Sequence, residues 1–230
     1  MYKRDHHNAV AAVLRALNAD ILEAAECYFG GGTAITLLLG EYRESVDIDF
    51  LCASGPGYRR LREMTHTGTL DALLDKSAGI TELRDVRADQ YGVRTWLGLD
   101  ETRIKFEIIR EARIGLAGAR HPELKVPVLQ RSDLYCEKLL ANADRHADKS
   151  VLSRDIIDLA MMISRWGQIP DMAWEKARAA YGRSVDGAFE KAARTIRNKE
   201  WLLECMRGMA MEQNLAEEIL EVFDGPKAQN

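Results

Sequence analysis

Cys27-Tyr28-Phe29-Gly30-Gly31-Gly32-Thr33 runs into Ala34-Ile35-Thr36-Leu37-Leu38-Leu39, and Arg43-Glu44-Ser45-Val46-Asp47-Ile48-Asp49-Phe50 follows shortly after. Side chains alternate along an extended strand, so Asp47 and Asp49 are expected on one face and Val46, Ile48 and Phe50 on the other. Two carboxylates held that close oppose each other's ionisation unless a cation lies between them. Their oxygen donors suit Mg²⁺, which takes one or two protein carboxylates and completes its shell with substrate phosphates. The glycines let backbone approach a triphosphate, and a helix beginning near Thr33 would turn its N–H groups toward an anion. Taken alone, Val-Asp-Ile-Asp-Phe is also the pattern of a half-buried strand, and the glycine run that of an ordinary strand-to-helix turn. The two in this order, after an apolar Cys27-Tyr28-Phe29, point to metal-dependent nucleotide chemistry.

Working outward, residues 8–25 place Val10, Val13, Leu14, Leu17, Ile21 and Leu22 at helical spacing. Strands are expected at 27–29, 46–51, 81–87, 91–97 and 102–110, with a helix from Tyr58 to Leu74 loosened by Gly68. Gly92 and the Tyr91–Leu97 run predict a hairpin with 81–87, hence a mixed or antiparallel sheet. Pro122 and Pro127 mark a boundary, and beyond Ser132 the pattern is wholly helical: 133–145, 151–165, 171–181, 184–197, 199–208 and 211–223. Ser132 or Asp133 is expected to cap the first of these, and Pro170-Asp171 to open another. Residues 225–230 read as a loose tail. The predicted fold is α+β: a small mixed sheet with flanking helices in residues 1–125, then an all-helical bundle in 126–230.

The 230 residues are 47% hydrophobic and 30% charged, with a formal net charge of −4. That balance suits a folded core and argues against wholesale non-specific nucleic-acid binding. No run is apolar enough to span a membrane, and Met1-Tyr2-Lys3-Arg4-Asp5-His6-His7 lacks the apolar stretch of a signal peptide. Cys27, Cys52, Cys136 and Cys205 form no CxxC pair and read as reduced, mostly buried thiols, which predicts a cytoplasmic protein. The histidines show no metal-ligand spacing, and Trp96, Trp166, Trp174 and Trp201 read as core residues. Residues 172–199 carry a local excess of four positive charges. Such a stretch is commonly a solvated face, and beside a nucleotide site it becomes a candidate track for an RNA backbone.

These residues resemble the polymerase-beta-type nucleotidyltransferase superfamily, with its glycine turn followed by Asp-x-Asp, and more narrowly the AbiEii/AbiGii nucleotidyltransferase toxin family. Arg43, Ser45, Asp47 and Asp49 match that family's first motif. Arg103-Ile104-Lys105-Phe106-Glu107-Ile108 matches the second, Lys138, Ala141 and Arg145 the third, and Arg154, Asp155 and Asp158 the fourth. The chain departs from it in carrying Asn142 where the family usually has Leu, Arg154 where some members have Lys, and Glu107 where others have Asp.

The resemblance implies transfer of NMP from an NTP, by in-line attack of a hydroxyl on the α-phosphate in a two-metal Mg²⁺ site. It makes Asp47 and Asp49 metal ligands and Glu107 a third ligand and candidate base. It makes Lys138 a phosphate partner and Asp155 a catalytic or nucleotide-orienting residue. Gly31, Gly32, Thr33, Arg43, Ser45, Arg154 and Asp158 complete the expected nucleotide-binding set. Lys105 and Glu107 also fit a plain exposed pair on one strand face. Replacing Lys138 by Ala is expected to lower turnover while leaving stability nearly unchanged. The resemblance further implies the toxin of a toxin–antitoxin or phage-defence pair, with the tRNA 3′ end as acceptor and a cognate antitoxin as partner. Alternatives are a nucleotidyltransferase acting on a small molecule, as antibiotic-modifying ones do, or on a protein, and a nucleotide-binding module without catalysis. The intact Asp47, Asp49, Glu107 and Lys138 argue against the last.

Overall fold

The computed structural model of the chain describes residues 1–224, so the expected tail at 225–230 lies outside the described residues. Two compact units form, residues 1–34 with 45–130 and residues 35–44 with 131 onward. The helical unit thus takes in a ten-residue piece from the first half of the chain as well as everything past Gln130.

In the first unit, α1 (Asp5–Ala16) buries Val10, Val13 and Leu14. The single helix expected over 8–25 breaks at Leu17, which is extended. Asn18 then starts α2 (Ala19–Ala24), its side chain accepting from the Ile21 N–H at 3.2 Å. Such a cap satisfies a donor that the helix leaves orphaned, which makes the break a second start. β1 (Cys27–Gly30) leads into α3 (Gly31–Leu38), whose last four residues belong to the helical unit. β2 (Ile48–Cys52) is followed by α4 (Gly55–Met64), capped by Ser54 and three residues earlier in its start than the sequence pattern indicated. The helix expected to reach Leu74 ends ten residues sooner, before Gly68 at φ +84°.

The expected strand at 81–87 resolves into two short pieces, β3 (Thr81–Glu82) and β4 (Arg87–Ala88). Both pair antiparallel with β5 (Gly92–Leu99). β6 (Thr102–Arg110) pairs antiparallel with β5 and parallel with β2. β7 (Gly118–Arg120) and β8 (Pro127–Leu129) were not legible as strands and close the far edge, giving a mixed sheet in the order β3-β5-β6-β2-β1-β8-β7, with β4 also on β5. Phe29, Phe50 and Phe106 stack across the three central strands, with ring centroids 5.6 and 6.1 Å apart. All three are fully buried, and they mark the sheet face turned to the core.

The second unit is helical throughout among the described residues: α5 (Arg131–Arg145), α6 (Arg154–Trp166), α7 (Asp171–Tyr181), α8 (Ser184–Ile196), α9 (Lys199–Gly208) and α10 (Leu215–Asp224). α5 packs on α6, α7 and α8, and α10 packs on α6. Ser132 and Asp133 lie inside the first turn of α5 rather than ahead of it. Asp133 is fully buried and receives Lys176 of α7 at 2.5 Å. Among the described residues no helix is long and apolar enough to cross a membrane.

Candidate functional site

The glycine turn and Asp49 meet within the first unit. Gly31 has φ +69°, a conformation that L side chains rarely adopt, and a Cβ placed on it would lie 2.9 Å from Oδ2 of Asp49. Backbone therefore passes directly against that carboxylate at the start of α3. Gly30 is close-packed for another reason: a Cβ there would meet Leu51 and Leu129 at 2.5 and 2.8 Å. Asp49 sits in register with Gly30 on β1 and with Glu107 on β6.

Asp47 precedes β2 rather than lying in it, and both aspartates are half-buried. Since the strand begins at Ile48, Ile48 and Phe50 are buried as the alternation predicts, whereas Val46 is exposed. The segment ahead of Asp47 is fixed by three polar contacts. The Thr33 and Ser45 hydroxyls are 2.8 Å apart, the Ser45 N–H donates to Nε2 of His7 at 3.2 Å, and His6 Nε2 lies 3.0 Å from the Val46 carbonyl oxygen. Thr33 and His7 are buried. These two histidines carry no local spacing signal, because each acts on backbone some forty residues away.

Glu107 is held by two cations, Oε2 by Lys105 at 2.5 Å and Oε1 by Arg94 at 3.1 Å. The same-face pairing of Lys105 and Glu107 that the sequence allowed is what the strand shows. Burial alone would lower the Lys105 ammonium, but Glu107, Asp47 and Asp49 outweigh it and raise it. Lys105 is thus the cation that all three carboxylates act on. Among the described residues no cluster of three or more His, Cys, Asp or Glu is gathered as a metal site. The Asp47–Asp49 pair alone has the hard oxygen donors and the number that Mg²⁺ requires.

The residues of the third and fourth motifs assemble in the second unit as a buried ionic network. Asp158, fully buried, accepts from the Tyr42 hydroxyl at 2.5 Å and from Arg43 Nε and Nη2 at 2.7 and 2.9 Å. Its Oδ2 also lies 2.6 Å from the Lys138 ammonium. Lys138, itself 4% exposed, reaches Asp155 at 2.9 Å. Asp155 binds Arg145 at 2.5 and 2.8 Å. Burial would push the Asp155 and Asp158 carboxyls up. Lys138 with Arg145 for the first, and Arg43 with Lys138 for the second, hold them below the usual carboxylate range instead. The Tyr42 hydroxyl is driven up by burial and by Asp158, so it stays protonated as the donor.

Arg43 donates Nε and Nη2 to Asp158 and Nη1 to the Glu44 carbonyl at 2.8 Å. The Asp158 oxygens are held by Tyr42, Arg43 and Lys138. Arg154, the first residue of α6, is half-buried. Tyr42 was missed because nothing in its local sequence marks a partner at position 158.

The sequence profile described as nucleotidyl transferase AbiEii toxin, type IV toxin–antitoxin system, matches residues 12–226. The chain belongs to this family. It is a nucleotidyltransferase. No curated protein matches it in sequence. Two crystal structures of Helicobacter pylori proteins share its fold, one described as a candidate nucleotidyltransferase and one as JHP933. Each has a TM-score of 0.52 at 14% identity, covering 96% and 97% of this chain and 92% of the other chain in both cases.

Proposed function

We propose that this AbiEii-family chain is a Mg²⁺-dependent toxin that moves NMP from an NTP to the 3′ end of tRNA in the cytoplasm, and that a cognate antitoxin restrains it. The observation that carries the reading is the contact of left-handed Gly31 with the Asp49 carboxylate at the start of α3. It brings backbone that can approach phosphates to the place where carboxylates can hold a metal.

Asp47 and Asp49 would hold Mg²⁺, which supplies positive charge to the phosphates when bound. Gly31 and Gly32 leave room for the triphosphate beside it. The contacts of Thr33, Ser45, His6 and His7 position the loop that carries Asp47. Glu107 is placed by Lys105 and Arg94 next to Asp49. Each of its oxygens is held by one cation, and its role in this reading is to orient the row.

In the second unit, Arg43, Lys138 and Arg145 are ion-paired with Asp155 and Asp158, and these five groups carry one excess positive charge. That excess supports reading Lys138 and Arg145 as a phosphate-binding element of the second unit, with Asp155 orienting both cations. Incubation of the purified chain with total RNA and each labelled NTP, with Mg²⁺ or with EDTA, tests the reading. Labelled tRNA is expected only with Mg²⁺, and label that never enters RNA overturns the acceptor.

A further inference from the structure

One register row crosses four strands of the sheet and changes sign along its length. Asp49 on β2 stands beside Glu107 on β6, Glu107 beside Arg94 on β5, and Arg94 beside Arg87 on β4. Register partners project from the same face. At about 4.8 Å per strand the row spans roughly 14 Å from Asp49 to Arg87. Glu107 is the joint, since it is the acid that both Arg94 and Lys105 grip.

Beyond that joint lies a cleft of about 620 Å³ walled by Arg84, Asp85, Arg87, Arg94, Trp96 and Lys105. Its walls set four cations against one carboxylate. Arg84 and Arg87 are exposed, and neither has an acidic partner among the described residues. Trp96 is half-buried, and the guanidiniums of Arg84 and Arg103 lie 6.0 and 5.5 Å from its ring centroid. Trp96 is therefore not the core residue that its sequence context indicated.

The helical stretch 172–199, basic in sequence, offers less. Lys176, Arg178 and Arg197 are bound by Asp133, Asp186 and Asp224.

We propose that the Arg84–Arg87–Trp96 cleft binds the phosphodiester backbone of a single-stranded nucleic acid, the acceptor strand, with one base against the indole. Arginines that lack carboxylate partners serve phosphates without reading sequence, and an aromatic face takes any base. A metal-bearing NTP needs the carboxylates and glycine turn at the opposite end of the row. The row thus separates the two substrates, with the nucleotide at its acidic end and the acceptor at its basic end, close enough for one strand to reach the reacting phosphate. This inference rests on the reading of the acceptor as RNA.

The test is fluorescence anisotropy of a labelled single-stranded RNA of about a dozen nucleotides with the full chain, from about 50 to 200 mM salt. NTP binding is measured on the same variants. Arg84→Ala combined with Arg87→Ala should weaken RNA binding about tenfold and lower the slope of log affinity on log salt by about 1.4. NTP affinity should stay unchanged. Trp96→Phe should keep RNA binding that Trp96→Ala loses. Wild-type affinity and salt slope in the double variant would overturn the cleft while leaving the RNA acceptor standing. A wild-type chain that binds no RNA overturns both. Parallel loss of NTP binding makes the cleft a triphosphate site and overturns the assignment to the acceptor.

Discussion

A side chain on Gly31 would have to occupy space 2.9 Å from the carboxylate oxygen and 3.2 Å from the Cβ of Asp49. The same residue is left-handed at φ +69°, where an L side chain costs about 1–2 kcal/mol. Gly31→Ala should therefore lower stability by about that much in urea denaturation. By tilting the Asp49 carboxylate it should lower NMP transfer much further, about a hundredfold for a displacement near 1 Å. Transfer at the wild-type rate would show that the close approach has no part in the chemistry.

Asp49 and Glu107 are register partners, and substitution should separate their roles. Asp49→Asn should keep the wild-type melting temperature, because the side chain is half-buried on the polar side of its strand, and should lose transfer. Glu107→Gln, whose partners are Lys105 and Arg94, should retain transfer to within about tenfold, since one hydrogen-bonded contact changes rather than a metal ligand. If the Glu107→Gln enzyme is as inactive as Asp49→Asn in steady-state assays, Glu107 is a ligand after all.

The ionic network makes stability depend on acid. Asp155 and Asp158 have carboxyl pKa values held down in the folded chain by Lys138, Arg145 and Arg43. The unfolded chain therefore takes up protons first as pH falls, and stability is lost with acidification. The contribution is fully present above the unfolded carboxylate value of about 3.9 and disappears below it, toward the lower folded values. Urea midpoints should hold from pH 7 to 5 and drop steeply from pH 4 to 3. In Asp155→Asn that steep part should shrink. An identical acid limb in the variant would remove Asp155 from the account.

Much of this was written locally. The glycine turn, the strand carrying Asp49 and the helices past Ser132 follow from short-range patterns: a run of small residues, alternation of period two, and apolar spacing of three and four. What stayed hidden depends on distance along the chain. β7 and β8 are three residues each and gain their identity only by pairing with each other and with β1. The break at Leu17 is set by an Asn18 cap inside a pattern that still reads as one helix. For the candidate site, Asp47, Asp49, Lys138 and Asp155 are legible in the sequence as candidates. The directions of Arg43 and Asp158 were not legible, since each is decided by a partner more than a hundred residues away. The row from Asp49 to Arg87 was equally closed to sequence reasoning, because it exists only in the register of four strands.

Lys138 gives the sharpest contrast between sequence and structure. Read as a phosphate partner, it could be removed with little effect on stability. In the structure it is buried and lies 2.9 and 2.6 Å from Asp155 and Asp158, which share it with Arg145 and Arg43. Removing one member of such a buried set leaves carboxylates short of a counter-charge, and typically costs about 3–5 kcal/mol. For a chain of this size that is a melting point lower by roughly 10 °C. Lys138→Ala should therefore melt early. It should also lose about a hundredfold in turnover when assayed cold enough to stay folded, if the excess positive charge of the network serves a phosphate. The two readouts decide different things. An unchanged melting point would deny the buried pairing itself. Early melting with wild-type turnover in the cold would leave Lys138 as a strut between α5 and α6, and would move the phosphate contact of the second unit to Arg145, whose side chain is one-third exposed.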